Sequence, residues 1–283
     1  MSTATVSVAG GRPTRQRRPA SRHSLTRGPA LGLGIGMIWF SLLVLIPLAA
    51  VVWTAGEDGL GAFKDALTNK QTFNALKLTV LSSLAVTAVN IVMGTVIAWV
   101  LVRDRFPGKK LIDLVIDIPF AMPTIVAGLV LLSLYGAESP LGLEWNNTRK
   151  AVLLALAFVT VPFVVRTVQP VLEEMETDVE DAAASLGASR ATTFRRITLP
   201  TLAPAIFAGA TLSFARAISE YGSLVLLSGN LPNRTEVASV RVYSSIEGGN
   251  QQSAAAVATI LLLVALVAIV VFDLIQRRLA RRG

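Results

Sequence analysis

Four stretches of this chain, residues 28–56, 78–102, 118–137 and 248–272, contain no Asp, Glu, Lys or Arg. A helix needs about 20 mostly apolar residues to cross the ~30 Å hydrocarbon core of a bilayer, and each window reaches that length. Two further apolar stretches, near 151–171 and 204–228, are interrupted only by isolated charges. The expectation is an all-α, polytopic membrane protein with six transmembrane helices at 30–54, 74–102, 111–136, 151–171, 204–228 and 254–275. Charged residues make up 16% of the 283, against about 25% in soluble domains.

The basic residues orient the spans. The 17 Lys and Arg of the N-terminal tail, the 103–110 and 172–203 loops and the C-terminal tail face only six in the loops 55–73, 137–150 and 229–253. Positive charge stays on the cytoplasmic side, so both termini are expected in the cytoplasm. Arg12, Arg15, Arg17, Arg18, Arg22 and Arg27 lie in a tail otherwise rich in Ser, Thr, Pro and Gly. Such a segment has little to pack and is expected to be disordered. Its charge suits anionic membrane lipid better than nucleic acid.

Several chemistries are excluded by what the chain lacks. It has no Cys and one His, His23, in the tail, so disulfides, Cys nucleophiles, Ser–His pairs within the spans and His-rich metal sites are unavailable. No Walker A pattern occurs, so the chain should not hydrolyse ATP itself. No cofactor is expected.

The 172–203 loop is the most informative segment. Leu172, Met175, Val179, Ala182, Ala183 and Leu186 fall on one face of a helix, interleaved with Glu173, Glu174, Glu176, Asp178, Glu180 and Asp181. Gly187 suits a helix stop, a second short helix is expected over 189–197, and Pro200 precedes the next span. Spacing alone leaves two readings open: an amphipathic helix lying on its own bundle, or a docking element for a cytoplasmic partner.

The residue types separate them. Asp181-Ala182-Ala183, then Gly187, then nine residues, then Ile197-x-Leu199-Pro200 resembles the EAA motif of ATP-binding-cassette importer permeases of the binding-protein-dependent, MetI-like family. Asp181 stands where that motif has Glu, with Glu180 beside it. The stretches DIPFAMPTIVAG (117–128), FARAISEYGS (214–223) and LPNRTEVAS (231–239) resemble the sulfate/thiosulfate permeases of the family. Sister sulfate permeases and molybdate permeases share the loop and layout. The resemblance covers about residue 30 to the end. It implies a coupling helix between spans 4 and 5 that contacts an ATPase through Glu180, Asp181, Ala182, Ala183, Gly187, Ile197, Leu199 and Pro200. It also implies two copies of that ATPase subunit, a second permease subunit, an extracytoplasmic sulfate-binding protein and a bacterial inner-membrane location. The chain then divides into a tail (1–27), a first span (28–56) and a permease core (57–283) containing the 172–203 coupling loop.

Charges inside spans are costly and mark structure or function. Arg216, at the expected midpoint of the fifth span, and Glu220 one turn on could pair across a helix face. They form either a structural pair or an anion contact in the translocation path. Arg166 and Lys77 lie near opposite span ends and are expected to snorkel. Pro119 and Pro123 are expected to kink the third span, and Gly128 to allow close helix approach. Asp113 and Asp117 read as acids favouring a helix N-terminus rather than as a protease pair.

Three functions compete. An importer permease needs the coupling loop. A membrane-embedded enzyme needs a nucleophile with a base, or a metal, and the spans lack them. A secondary transporter usually shows internal repeats, and none is visible.

Overall fold

The computed structural model describes the backbone of residues 27–57 and 59–280. The expected tail lies outside them apart from Arg27. The elements among the described residues are helices, in the order α1 (Arg27–Phe40), a π-helical turn (Ser41–Leu45), α2 (Ile46–Gly56), α3 (Gly61–Thr68), α4 (Lys70–Arg103), α5 (Lys109–Ala121), α6 (Thr124–Tyr135) and α7 (Arg149–Glu174). Then come α8 (Thr177–Ser185), α9 (Arg190–Thr193), a second π-helical turn (Phe194–Thr198), α10 (Leu199–Ile218), α11 (Gly222–Leu227), α12 (Ala238–Glu247) and α13 (Gln251–Ala280). The chain divides into two units between Pro47 and Leu48.

In the first unit, α1 and the π turn expose Leu31, Ile35, Ile38, Trp39, Leu42 and Leu43. With α2 they belong to an apolar helical stretch of 26 residues, Leu31–Gly56, enough for one crossing.

In the second unit, α4 is built inside out. Its buried face is mostly small and polar, carrying Thr72, Ala75, Thr79, Ser82, Ser83, Thr87, Asn90, Gly94 and Ala98 beside Leu76, Val86 and Leu101. Its exposed face carries Leu81, Leu84, Val89, Val92, Met93 and Val96. A helix in water places these groups the other way round. Lipid tails give apolar side chains no reason to turn inward, and small residues let helix backbones approach closely. The polar groups then find partners: Asn90 Nδ2 donates to Thr160 Oγ1 of α7 at 2.8 Å and to Ser213 Oγ of α10 at 3.1 Å. Ala98, Leu101, Val164, Val165, Val168, Leu172, Leu202 and Ile206 pack these three helices together towards α8 and α9. Val86, Leu131, Val152, Ala155, Leu156 and Ala217 pack them towards α12.

Five helices or helical runs are long and apolar enough to span: Leu31–Gly56, Lys70–Arg103, Arg149–Glu174, Arg190–Ile218 and Gln251–Arg278. The expected third span, 111–136, is instead two helices bent by 118°. Pro123 is the cause. A residue before proline is pushed out of the helical region, and Met122 sits at φ −102°, ψ 145°. Pro119 lies within α5 without breaking it, so of the two expected kink residues only Pro123 acts. The two halves of the bent pair meet α7 at different levels. The ring of Phe120 on α5 meets Phe163 midway along α7, whereas Tyr135 at the end of α6 stacks on Trp145, just before α7 begins.

The expected fifth span, 204–228, is also corrected. Helix begins upstream at Arg190 and runs through the π turn and Pro200 to Ile218. Pro200 has no N–H to donate one turn back, and the register changes just there: Leu199 N–H bonds to Phe194 O, five residues back. The helix then stops at Ser219, and α11 starts three residues later.

Candidate functional sites

The expected coupling loop forms α8, which ends in a Schellman turn. Gly187 adopts φ +83°, Gly187 N–H donates to Ala184 O at 2.9 Å, and Ala188 N–H donates to Ala183 O at 3.0 Å. Those two bonds satisfy carbonyls the helix end would otherwise orphan. Ser189 then caps α9, its hydroxyl accepting from Thr192 N–H at 3.2 Å. The expected apolar stripe is divided. Leu172 is buried in α7 and Met175 stands at the break before α8, whereas Val179 and Leu186 are exposed, Leu186 to 90%. Met175 leaves the helical region at ψ 115°, which ends α7 before α8 begins; Ala183 of α8 is half-buried, and Val179 and Leu186 are uncovered by this chain.

The two neighbouring acids have different environments. Glu180 Oε1 accepts from Arg103 Nη2, at the end of α4, at 2.9 Å and from Thr198 Oγ1, before α10, at 3.2 Å. Asp181 is exposed. The Arg103 guanidinium also lies 5.6 Å over the Trp99 ring, and Trp99 meets Phe194 edge to face at 5.6 Å. One carboxylate therefore ties α8 to the ends of two membrane helices. Of the motif's other positions, Ala182 is exposed, Ile197 half-buried, and Leu199 and Pro200 exposed at the start of α10. Arg103, Trp99 and Thr198 escaped sequence reasoning because Arg103 counted only as a topology charge.

Arg166 does not snorkel. Its Nη1 donates to Asp113 Oδ1 at 2.7 Å and to Gln169 Oε1 at 2.6 Å, its Nε to Asp117 Oδ1 at 2.7 Å, and its Nη2 to the Asp113 carbonyl at 2.7 Å. The planar fork of a guanidinium suits such convergence. Asp113 and Asp117 stand beyond the first turn of α5 and fasten that helix to α7 rather than capping it.

Arg216 is in the last turn of α10, and Glu220 lies beyond the helix end. Arg216 Nη2 is 2.6 Å from Glu220 Oε2. The Glu220 side chain is 0% exposed and that of Arg216 is 30% exposed. Glu220 Oε1 accepts from Ser223 N–H at 2.9 Å and Ser223 Oγ at 2.8 Å, and the Glu220 carbonyl accepts from Ser239 Oγ at 2.7 Å. The carboxylate thus satisfies backbone freed by the break between α10 and α11, as membrane helices require.

The bent pair and the α10–α11 turn meet at their breaks. A Cβ on Gly128 of α6 would stand 2.8 Å from Ser223 Cα and O, and one on Gly222 would stand 2.8 Å from Ile125 N. Backbone packs on backbone there, as expected for Gly128.

A family model described as "Binding-protein-dependent transport system inner membrane component" matches residues 90–282. The "Sulfate transport system permease protein CysT" of Salmonella typhimurium is 38% identical over 269 residues, covering 93% of this chain and 97% of the relative. The protein of the same name from Synechocystis is 37% identical over 280 residues, covering 96% and 97%. Among solved structures, a chain of the bacterial alginate ABC transporter, in complex with an alginate pentasaccharide-bound periplasmic protein, shares the fold. Its TM-score is 0.72 at 19% identity, over 88% of this chain and 93% of that one.

Proposed function

Because this chain belongs to the family of binding-protein-dependent transport system inner membrane components, we propose that it is the permease subunit of an ATP-driven importer carrying sulfate or thiosulfate into the bacterial cytoplasm. The substrate follows from likeness to the CysT sulfate permeases along nearly the whole chain. A CysW-type sister subunit or a molybdate permease is the near alternative. ATP is hydrolysed on a separate ABC ATPase subunit, present in two copies. A CysW-like second permease and an extracytoplasmic sulfate-binding protein complete the transporter.

The observation that carries the mechanism is α8. Val179 and Leu186 are uncovered by this chain, its end is fixed by Gly187, and Glu180 ties it to α4 and α10. Such an element can receive movement from the ATPase and pass it directly to two membrane helices. Asp181, exposed beside it, faces the partner, while Ala182 and Ala183 keep the helix surface low. Ile197, Leu199 and Pro200 stiffen the return into the membrane. This reading places α8 and α9 in the cytoplasm, with both termini on that side. In the translocation path, Glu220 has a structural role at the α10–α11 break. The partly exposed Arg216 guanidinium keeps the anion-contact reading open.

The test is radiolabelled sulfate uptake in cells lacking this chain, with molybdate as competitor. Uptake should be lost, return with the chain, and resist molybdate. Restored molybdate uptake without sulfate uptake would reassign the substrate. Copurification of an ATPase separates an importer from an enzyme or a secondary transporter.

A further inference from the structure

Far from α8, on the face that bears α12, a crevice of about 350 Å3 opens between α4, the start of α7 and the segment before α12. Three cations from three different elements line it: Lys77, Arg149 and Arg234. One carboxylate, Glu236, shares it. Glu236 is 5% exposed, and its Oε2 accepts from Gln71 Nε2 at 2.7 Å. Among the described residues, none of the three cations stands in an ion pair. Three cations against one carboxylate leave the crevice an excess of two positive charges.

The walls are fastened together. Asn74 Nδ2 donates to Asn233 Oδ1 at 2.9 Å, Arg149 Nε donates to the Arg234 carbonyl at 3.1 Å, and Ala238 N–H donates to Thr79 Oγ1 at 2.8 Å. These bonds pin the 233–238 segment to α4 and α7, so the fold fixes the backbone from which the three exposed cations line the crevice. Like charges gathered over low-dielectric walls raise the local potential and the local anion concentration. The positive end of the 26-residue α7 adds to it. Arg149 spends one donor on the Arg234 carbonyl and keeps its terminal nitrogens for a ligand. Ser82, 6% exposed, lines the wall with a hydroxyl.

We propose that this crevice is an acceptance site for a tetrahedral oxyanion, where sulfate rests after leaving the binding protein and before entering the bundle. The proposal depends on the sulfate reading above and adds to it the residues that first hold the dianion. Two formal positive charges match the two charges of sulfate, and guanidinium groups suit its oxygens in pairs. Affinity at such a site must be weak, because an anion that binds tightly does not move on.

The test uses the complete transporter, purified with its ATPase and partner permease. Equilibrium dialysis with radiolabelled sulfate, without binding protein, should show saturable binding in wild type that excess chloride does not displace. Lys77→Gln, Arg149→Gln and Arg234→Gln should each weaken it about tenfold, the loss of one charge-assisted contact. Arg149→Lys, which keeps the charge, should retain most of it and shows that the crevice is folded. In proteoliposomes supplied with sulfate-loaded binding protein, the Gln variants should lower uptake to a similar degree.

Three outcomes overturn the proposal. Sulfate binding unchanged in all three Gln variants is one. A second is unchanged binding with weakened ATPase stimulation by the binding protein, which would make the cations a protein-docking patch. The third is wild-type binding abolished on moving from phosphatidylcholine to phosphatidylglycerol nanodiscs, which would assign the crevice to lipid phosphate. Failure of the sulfate reading is separate: wild-type proteoliposomes would then import no sulfate at all.

Discussion

Gly187 allows a prediction whose sign does not depend on size. Its φ of +83° is a conformation that residues with a Cβ adopt at a cost, and no heavy atom lies within 4 Å of where that Cβ would stand. Any penalty of substitution within this chain is therefore backbone strain and not collision. Left-handed backbone costs an L-residue about 1–2 kcal/mol, and Asn escapes part of it through local hydrogen bonding. Gly187→Ala should thus depopulate the native end of α8 by roughly 5- to 30-fold. The β-branched Gly187→Val should do worse, leaving the protein in the membrane but unable to capture ATPase. Gly187→Asn, though larger than Ala, should do better than Ala. The assay is ATPase copurification alongside initial sulfate uptake for the four proteins, each normalised to its membrane level. If the losses instead follow volume, with Asn worse than Ala, the reasoning fails: contact with the partner, rather than helix termination, would govern the position.

Other expectations are open to direct measurement. Glu180→Ala should lower the detergent melting temperature and cut uptake several-fold, since it unties α8 from Arg103 and Thr198, whereas Asp181→Ala should leave the melt unchanged and lower only ATPase capture. Arg216→Met alone strands a fully buried carboxylate, at a cost of about 3–5 kcal/mol in buried pairs, and should express poorly. Arg216→Met with Glu220→Gln should recover expression, and its sulfate uptake then decides between a structural pair (normal) and an anion contact (lost). Gly128→Ala would bring a Cβ to 2.8 Å from Ser223 backbone and should destabilise the permease by about 1–3 kcal/mol, read as a lower melting temperature. Reporter fusions at residue 145 and at the C-terminus should report opposite sides of the membrane. The same side for both would sink the orientation.

The spans were legible because lipid imposes one rule on many residues at once: a charge-free stretch of sufficient length has few alternatives. The motif around Gly187 was legible for a related reason, since a left-handed helix end demands glycine whatever surrounds it. Breaks were less so. Pro119 and Pro123 look alike in sequence, and only the second interrupts helix, because Met122 before it can become extended where α6 begins. Nothing about Ile218 or Ser219 announces that α10 ends there; the break is held by Glu220, Ser223 and Ser239, the last of which lies in a separate segment. Asp113, Asp117 and Arg166 could each be noticed, but their meeting is a property of how α5 crosses α7. Pairings between elements are fixed by packing, and a linear pattern carries them only weakly.

The two adjacent helix breaks have a mechanical consequence. α6 and α11 are short helices of 12 and 6 residues, packed together by the close approaches at Gly128 and Gly222. Each follows the preceding helix through a few non-helical residues, Met122–Pro123 in one case and 219–221 in the other. A continuous helix spreads bending along its length, whereas this arrangement confines each change of direction to one of two adjacent knuckles, the one at 219–221 held by the Glu220 bonds. Force applied to α10 from α8 would therefore arrive at the knuckles before it reached the far ends of α6 and α11. The pair could tilt as one short lever about a line through the two breaks, without any helix having to unwind.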